Sequence, residues 1–255
     1  MEKAEYGMVD GYYRCWPGDG ATIRSALNYV PEPEDVFIVS YPKSGNTWLQ
    51  HIAYNIINDH APPANRIDYN REIPFLDMHG AEAARGMRRP GFIKTHMPFH
   101  LHPYSRDAKY ICICRNPYDY LKEDTATWVF KIADFLGDDY GKKLRADKKA
   151  LENILSRTSF EAMKEHVNVA QRKYVVERSL IPEDQKPEWV KRSMKIMGNR
   201  VPNNSQASGN FVRKGVVGDW KTHFSAEQVA GLKEHIAVKT RGSDVMGLWK
   251  KLQLP

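Results

Sequence analysis

Val36-Phe-Ile-Val-Ser-Tyr-Pro-Lys-Ser-Gly-Asn-Thr-Trp48 is the stretch from which the rest of the chain is read. It begins as an apolar, β-branched run over residues 36–39, breaks at Tyr41-Pro42 and resumes at Thr47-Trp48-Leu49. From there apolar residues fall at Ile52, Ala53, Ile56 and Ile57, which is helical spacing. The pattern predicts strand, tight turn, helix, the helix running from about Thr47 to a stop at Asp59-His60-Ala61-Pro62-Pro63. Such a turn aims the first N–H groups of a helix, and its positive dipole end, at one point beyond the strand. Lys43, Ser44, Asn46 and Thr47 add donors there, and Gly45 allows close backbone approach. The ligand expected at that point carries phosphate or sulfate. The turn is not the nucleoside-triphosphate loop, because Lys43 precedes the glycine and no glycine opens it.

A chain of 255 residues can bury the core of a single α/β domain, and we read residues 1–255 as one. With 38 Lys and Arg against 31 Asp and Glu, the net charge of +7 fits either a solvated basic surface or a site for a polyanionic small ligand. No basic block is interleaved with aromatics, so a nucleic-acid partner is not expected. Three cysteines, Cys15, Cys112 and Cys114, argue against a disulfide framework and for a reducing, cytoplasmic setting. Cys112 and Cys114 flank Ile113 in an apolar run and are expected as buried packing groups on one strand face. Residues 1–6 lack the apolar core of a signal peptide, and no apolar run is long enough for a bilayer, so no membrane partner is expected.

Residues 1–33 mix Tyr6, Tyr12, Tyr13 and Trp16 with Gly and Pro, and read as an irregular cover with one helical patch near 21–27. A loop-rich segment after Pro63 holds Ile73-Pro74-Phe75-Leu76-Asp77, with Met78 and His79 beside it. Two further strand ends follow. Phe92-Ile93 runs into Lys94-Thr95-His96 and then Pro98, where open α/β sheets place their chemistry. His100 and His102 come soon after and compete with His96 for attention. The run from Ala108 to Cys114 ends at Arg115, beside a helix start with Asn116 as cap and Pro117 at its first position. Arg115 there suits bidentate phosphate binding.

In the second half, Arg157-Thr-Ser-Phe-Glu-Ala-Met163 offers Ser156 or Thr158 as a helix cap. From spacing alone Phe160 and Met163 read as helix core. Residues 166–210 form a basic helical insertion punctuated by Pro182 and Pro187, read as a solvated face or mobile lid. Phe211-Val-Arg-Lys-Gly-Val-Val-Gly-Asp-Trp-Lys221 follows, then a helix over about 226–236.

These stretches together resemble the cytosolic sulfotransferases, which use 3′-phosphoadenosine 5′-phosphosulfate. Y-P-K-S-G-N-T-W is similar to their 5′-phosphosulfate loop Y-P-K-S-G-T-T-W, and Lys94-Thr95-His96 to the segment holding their general base. Arg115-Asn116-Pro117-x-Asp119 matches their 3′-phosphate segment, residues 157–163 their T-S-F-x-x-M, and residues 211–221 their F-x-R-K-G-x-x-G-D-W-K. The resemblance implies a P-loop-like α/β fold with a central parallel sheet flanked by helices. It implies sulfonyl transfer to a hydroxyl or amine of a small acceptor, with His96 as base and Lys43 and Lys94 neutralising charge at the transferred group. Lys43, Ser44, Gly45, Asn46 and Thr47 would hold the 5′-phosphate, and Arg115, Arg213, Lys214 and Gly215 the 3′-phosphate. Trp48 and Phe160 would sandwich the adenine, with Thr158 and Met163 nearby. Phe75, Met78 and Phe99 point to an apolar pocket for a phenol or other small lipophilic alcohol. No metal is required by this chemistry.

The pattern breaks after Asp119. Position 123, where the family carries a serine eight residues after its arginine, is Glu123. The run from Lys122 resembles a later family segment, so an internal piece with one strand is missing, the join lying near Leu121-Lys122. We expect one continuous helix across the join, from Asn116 to Leu136, burying Trp128, Ile132, Phe135 and Leu136. The family's dimer motif, K-x-x-x-T-V-x-x-x-E, keeps Lys221 but has Ser225, Ala226 and Ala230 at its other positions, so a monomer or weak dimer is expected. Two rivals remain: a non-catalytic relative that still binds ligand, and a P-loop kinase using ATP and magnesium.

Overall fold

The computed structural model describes residues 7–14, 20–63, 65–114, 125–197, 212 and 219–249. They fall into two compact units, one within residues 7–114 and 125–212 and the other within 219–249.

The larger unit opens with a hairpin, β1 (Gly7–Val9) and β2 (Tyr12–Arg14), and helix α1 (Gly20–Leu27). The N-terminal cover is therefore more regular than its composition indicates. Tyr12, Ile23 and Ala26 are buried, so it is part of the core. Strand β3 (Asp35–Ser40) leads into α2 (Asn46–Asn58), as its residues predict. The stretch expected as loop instead folds into short helices, α3 (Arg66–Glu72), α4 (Leu76–His79) and α5 (Ala81–Arg85). Asn65 caps α3 by accepting from the Ile67 and Asp68 N–H groups, a local signal in the sequence that the neighbouring prolines obscure.

Strands β4 (Gly91–Thr95) and β5 (Lys109–Ile113) pair in parallel with β3, giving the order β4-β3-β5. Successive β3 residues feed opposite cores. Val36 and Ile38 join α2 and the helices α6 (Thr125–Leu136), α7 (Asp138–Ala146) and α8 (Lys148–Arg157) in one cluster. Phe37 packs with the hairpin, α1, α4 and α5 in the other. A strand buried on both faces reads as a continuous apolar run, which is why residues 36–39 look as they do.

Two expectations about packing fail here. Helix α6 buries Val129, Ile132, Ala133 and Leu136, and leaves Trp128 42% and Phe135 47% exposed. The better 3–4 stripe is the smaller-residue one, while Trp128 lies beside Lys131 (4.5 Å) at the surface. The expected helical stretch before Thr125 lies outside the described residues. Cys112 and Cys114 are exposed rather than buried, because β5 is the edge of the described sheet.

Helix α9 (Phe160–Leu180) and α10 (Glu188–Met197) complete the unit. Residues 166–210, expected as a solvated face or lid, contribute Tyr174, Trp189 and Val190 to a third buried cluster with Ile67 of α3. The smaller unit holds α11 (Ala226–Lys239), whose Ser225 and Gln228 form a reciprocal capping box. No described helix is long and apolar enough to cross a membrane.

Candidate active site

The turn between β3 and α2 is built by two left-handed residues. Lys43 has φ 67° and Gly45 φ 106°, the latter immediately before the helix. No side chain caps the α2 N-terminus, and a Cβ placed on Gly45 would meet open space. The first N–H groups of a 13-residue helix therefore face outward at the turn, with Lys43 exposed beside them and Ser44 and Thr47 buried at its base. This donor set fits a bound phosphate or sulfate ester. At Asn46 the side chain turns inward and donates to Ile38 O (3.2 Å) and Ser40 Oγ (3.0 Å), so that side chain ties the helix to β3, while the Asn46 N–H is among the first of α2.

His96 sits just past the end of β4, next to β3. Its Nδ1 donates to Ser40 O at 2.6 Å, since a carbonyl can only accept, which leaves Nε2 as the acceptor nitrogen of the neutral ring. Burial, then the nearby Lys94 charge, pushes its pKa down to about 4. The imidazole is therefore unprotonated at neutral pH.

Asp77 fixes the backbone of this corner. It is 1% exposed and accepts from Tyr12 OH (2.9 Å), Thr95 Oγ1 (2.6 Å) and His96 N (2.8 Å). Burial pushes its carboxyl up, against those three bonds and Lys94. Neither Asp77 nor Ser40 stood out as a site residue in the sequence. The available signal was position: each lies at an element end that abuts the motif.

Lys94 is buried, its Nζ 4.3 Å from the centroid of the Phe75 ring. Burial, and then the Arg66 charge, lowers its pKa to about 7. Phe75 reaches this place because Lys94 N donates to Pro74 O (2.9 Å), adding a strand-like bridge beside β4. The same ring meets His96 edge-on at 5.1 Å. Lys94, His96 and Phe75 thus share one corner, with Met78 half-buried on α4. Phe99 does not join them: it is 73% exposed, edge-on to Tyr104. The competing histidines are accounted for, since His102 packs on Phe37 (4.8 Å) and His100 is exposed.

Trp48 Nε1 donates to Thr158 O at 2.8 Å, bringing the first turn of α2 to the α8–α9 corner. Half-buried Phe160 begins α9 there, and Met163 is buried below it. Thr158 ends α8, its hydroxyl bonded to Ile154 O, and the cap of α9 is Ser159, not Ser156 or Thr158. Asn168 of α9 holds both backbone groups of Val212, accepting its N–H (2.9 Å) and donating to its carbonyl (3.1 Å). That pair anchors the residue preceding Arg213, and sequence reading missed it. Arg115, Glu123, Arg213, Lys214 and Gly215 lie outside the described residues.

His51 and His79 are buried near this corner, and burial lowers each pKa from 6.5 to about 3. Both stay neutral in the folded chain while the unfolded chain protonates them. Stability is therefore expected to fall as pH drops below 6.5, by about 1.4 kcal/mol per unit for each. Urea midpoints at pH 7, 6 and 5 check this; an unchanged midpoint would contradict it.

Against this geometry, a family model described as "Sulfotransferase domain" matches residues 33–121 and 118–244. The chain belongs to the sulfotransferase domain family. The two matched segments meet at residues 118–121, where the sequence pattern breaks. A guinea pig (Cavia porcellus) 3-beta-hydroxysteroid sulfotransferase is 30% identical over 234 residues, covering 78% of this chain and 81% of that protein. Sulfotransferase 1E1 of the same animal is 25% identical over 286 residues, covering 84% of this chain and 86% of its own. Among solved structures, mouse sulfotransferase SULT7A1 complexed with PAP aligns with a TM-score of 0.62 at 19% identity, covering 96% and 99% of the two chains. A retinol dehydratase aligns at 0.56 and 18%, over 95% and 91%. These likenesses establish the fold.

Proposed function

We propose that this chain transfers a sulfonyl group from 3′-phosphoadenosine 5′-phosphosulfate to a hydroxyl of a small acceptor with an apolar body. The observation that carries the reading is the corner where neutral His96, buried Lys94 and Phe75 meet, in a sulfotransferase-family chain with an uncapped α2 N-terminus. The donor supplies an activated sulfonyl group on a phosphate leaving group. His96 Nε2 takes the acceptor's hydroxyl proton as the new S–O bond forms, and its Nδ1 bond to Ser40 O holds that tautomer. Lys43 and Lys94 stabilise the charge that builds on the departing side, and the α2 N–H groups hold the 5′-phosphate. Trp48 and Phe160 flank the base, and Phe75 lies along the acceptor's apolar body.

Turnover tests the reading: a simple phenol and the donor, incubated with the purified chain, should yield the sulfated phenol by mass spectrometry. Failure of a folded, donor-binding chain to turn over any phenol or amine would favour the non-catalytic reading, which the break at 118–121 and Glu123 motivate.

Lys94 gives a second expectation. Its lowered pKa of about 7 means that an anionic donor must restore its proton above that pH. Donor affinity should therefore fall as pH rises from 7 to 8.5, by up to about tenfold per unit. Calorimetry in two buffers of different ionisation enthalpy should show proton uptake at pH 8. Equal heats would count against a charged Lys94 in the complex.

A further inference from the structure

A cavity of about 210 Å³ opens between the end of α3, the short helices α4 and α5, and the start of α10. None of its lining residues is among those assigned above to donor or acceptor. Its buried part is aromatic: Trp189 is 8% exposed and His79 2%, with ring centroids 4.7 Å apart. Ala83 of α5 and Gly86 just past it are too small to fill the space. The exposed charges around it are already engaged. Arg71 pairs with Asp68 at 2.7 Å and Glu188 with Lys191 at 2.9 Å, and Glu82 is not free either.

His79 adds one directed donor. Its Nδ1 accepts the Phe75 N–H at 3.0 Å, so the neutral ring carries its proton on Nε2. Among the described residues no group accepts that proton, yet Nε2 is not sealed from open space. In a ring this deeply buried, the open space is the cavity that His79 lines. The same side chain thus serves Phe75 with one nitrogen and the cavity with the other, and Phe75 lies 5.1 Å from His96. A buried donor without a partner costs free energy, which water or a ligand oxygen offsets. Small-molecule sites are concave, mainly apolar and fixed by a few placed polar groups. A cavity of about 150 Å³ already takes a benzene ring.

We propose that this cavity binds a small uncharged aromatic molecule with one acceptor oxygen, its ring against Trp189 and its oxygen on His79 Nε2. Aromatic pairs gain from offset or edge-on contact beyond the area they bury, and the engaged charges around the cavity give an ion no advantage. The site stands whether or not the chain transfers sulfonyl groups, since none of its residues takes part in that chemistry.

The probe is 4′-fluoroacetophenone, which is flat and uncharged, with a carbonyl acceptor and no hydroxyl or amine to be sulfated. Fluorine NMR titration of the intact chain should give a Kd of about 1 mM or tighter. Ala83→Leu, a change that helices accept, fills the cavity from α5 and should weaken binding at least about tenfold. A thermal midpoint within about 4 °C of the parent's shows that this variant folds. His79→Phe keeps a ring beside Trp189 but removes the N–H, and should weaken binding at least about threefold. Should His79→Phe fail to fold, Ala83→Leu decides alone. No binding by the parent at about 10 mM, or undiminished binding by a folded Ala83→Leu or His79→Phe chain, would overturn the assignment.

Discussion

Replacing His96 by alanine is expected to lower kcat by about 10²–10⁴-fold while leaving donor affinity within about threefold. The side chain is placed for one task. Its Nδ1 is committed to Ser40 O at 2.6 Å and its backbone N–H to Asp77, so ring and main chain are fixed from two sides. With its pKa lowered to about 4, the ring is a base over the whole neutral range. The unprotonated form is the active one, so at saturating donor kcat/KM for the acceptor should be level between about pH 5 and 7 and fall as pH drops through about 4. His96→Asn keeps a donor for Ser40 O but no basic nitrogen, and should be as slow as alanine. Rates for either variant within threefold of the parent would remove His96 from the mechanism.

Asp77→Ala should be the most destabilising single change near the site, by about 3–5 kcal/mol. It strips the acceptor from three buried donors, Tyr12 OH, Thr95 Oγ1 and His96 N, and removes the negative charge that Lys94 feels. Asp77→Asn keeps the shape, but its amide nitrogen must face a donor, so an intermediate loss of about 1–3 kcal/mol is expected. Urea unfolding of the two variants gives the order directly. An alanine variant as stable as the parent would show that the hydrogen bonds at this corner contribute little.

The strand–turn–helix at residues 36–58 was legible because each part carries its own local signal. An apolar run buried on two faces, a lysine and a glycine in left-handed backbone, and a helical stripe leave little freedom. Likewise Lys94 and His96 could be found because they stand at the end of a short strand. What escaped is long-range. Asp77 and Ser40 matter through partners such as Tyr12 and His96, 65 and 56 residues away. No local pattern encodes those pairings. The same holds for Asn168, whose partner Val212 is 44 residues on. At Trp128 and Phe135 hydrophobicity is a poor guide to burial, because α6 buries a stripe of smaller residues, Val129 and Ala133 among them. At Asn46 a polar side chain in the loop ties it to its strand, a role that no local pattern announces.

The proposed chemistry depends on the α2 N-terminus with its lysine turn holding a 5′-phosphorylated adenosine donor. Calorimetric titration of the intact chain with 3′,5′-bisphosphoadenosine in metal-free buffer tests it most directly. The expected Kd is about 1 µM or tighter, near −8 kcal/mol, weakened at least tenfold by Lys43→Ala. No binding by the folded chain, or tighter binding of magnesium-ATP, would contradict it.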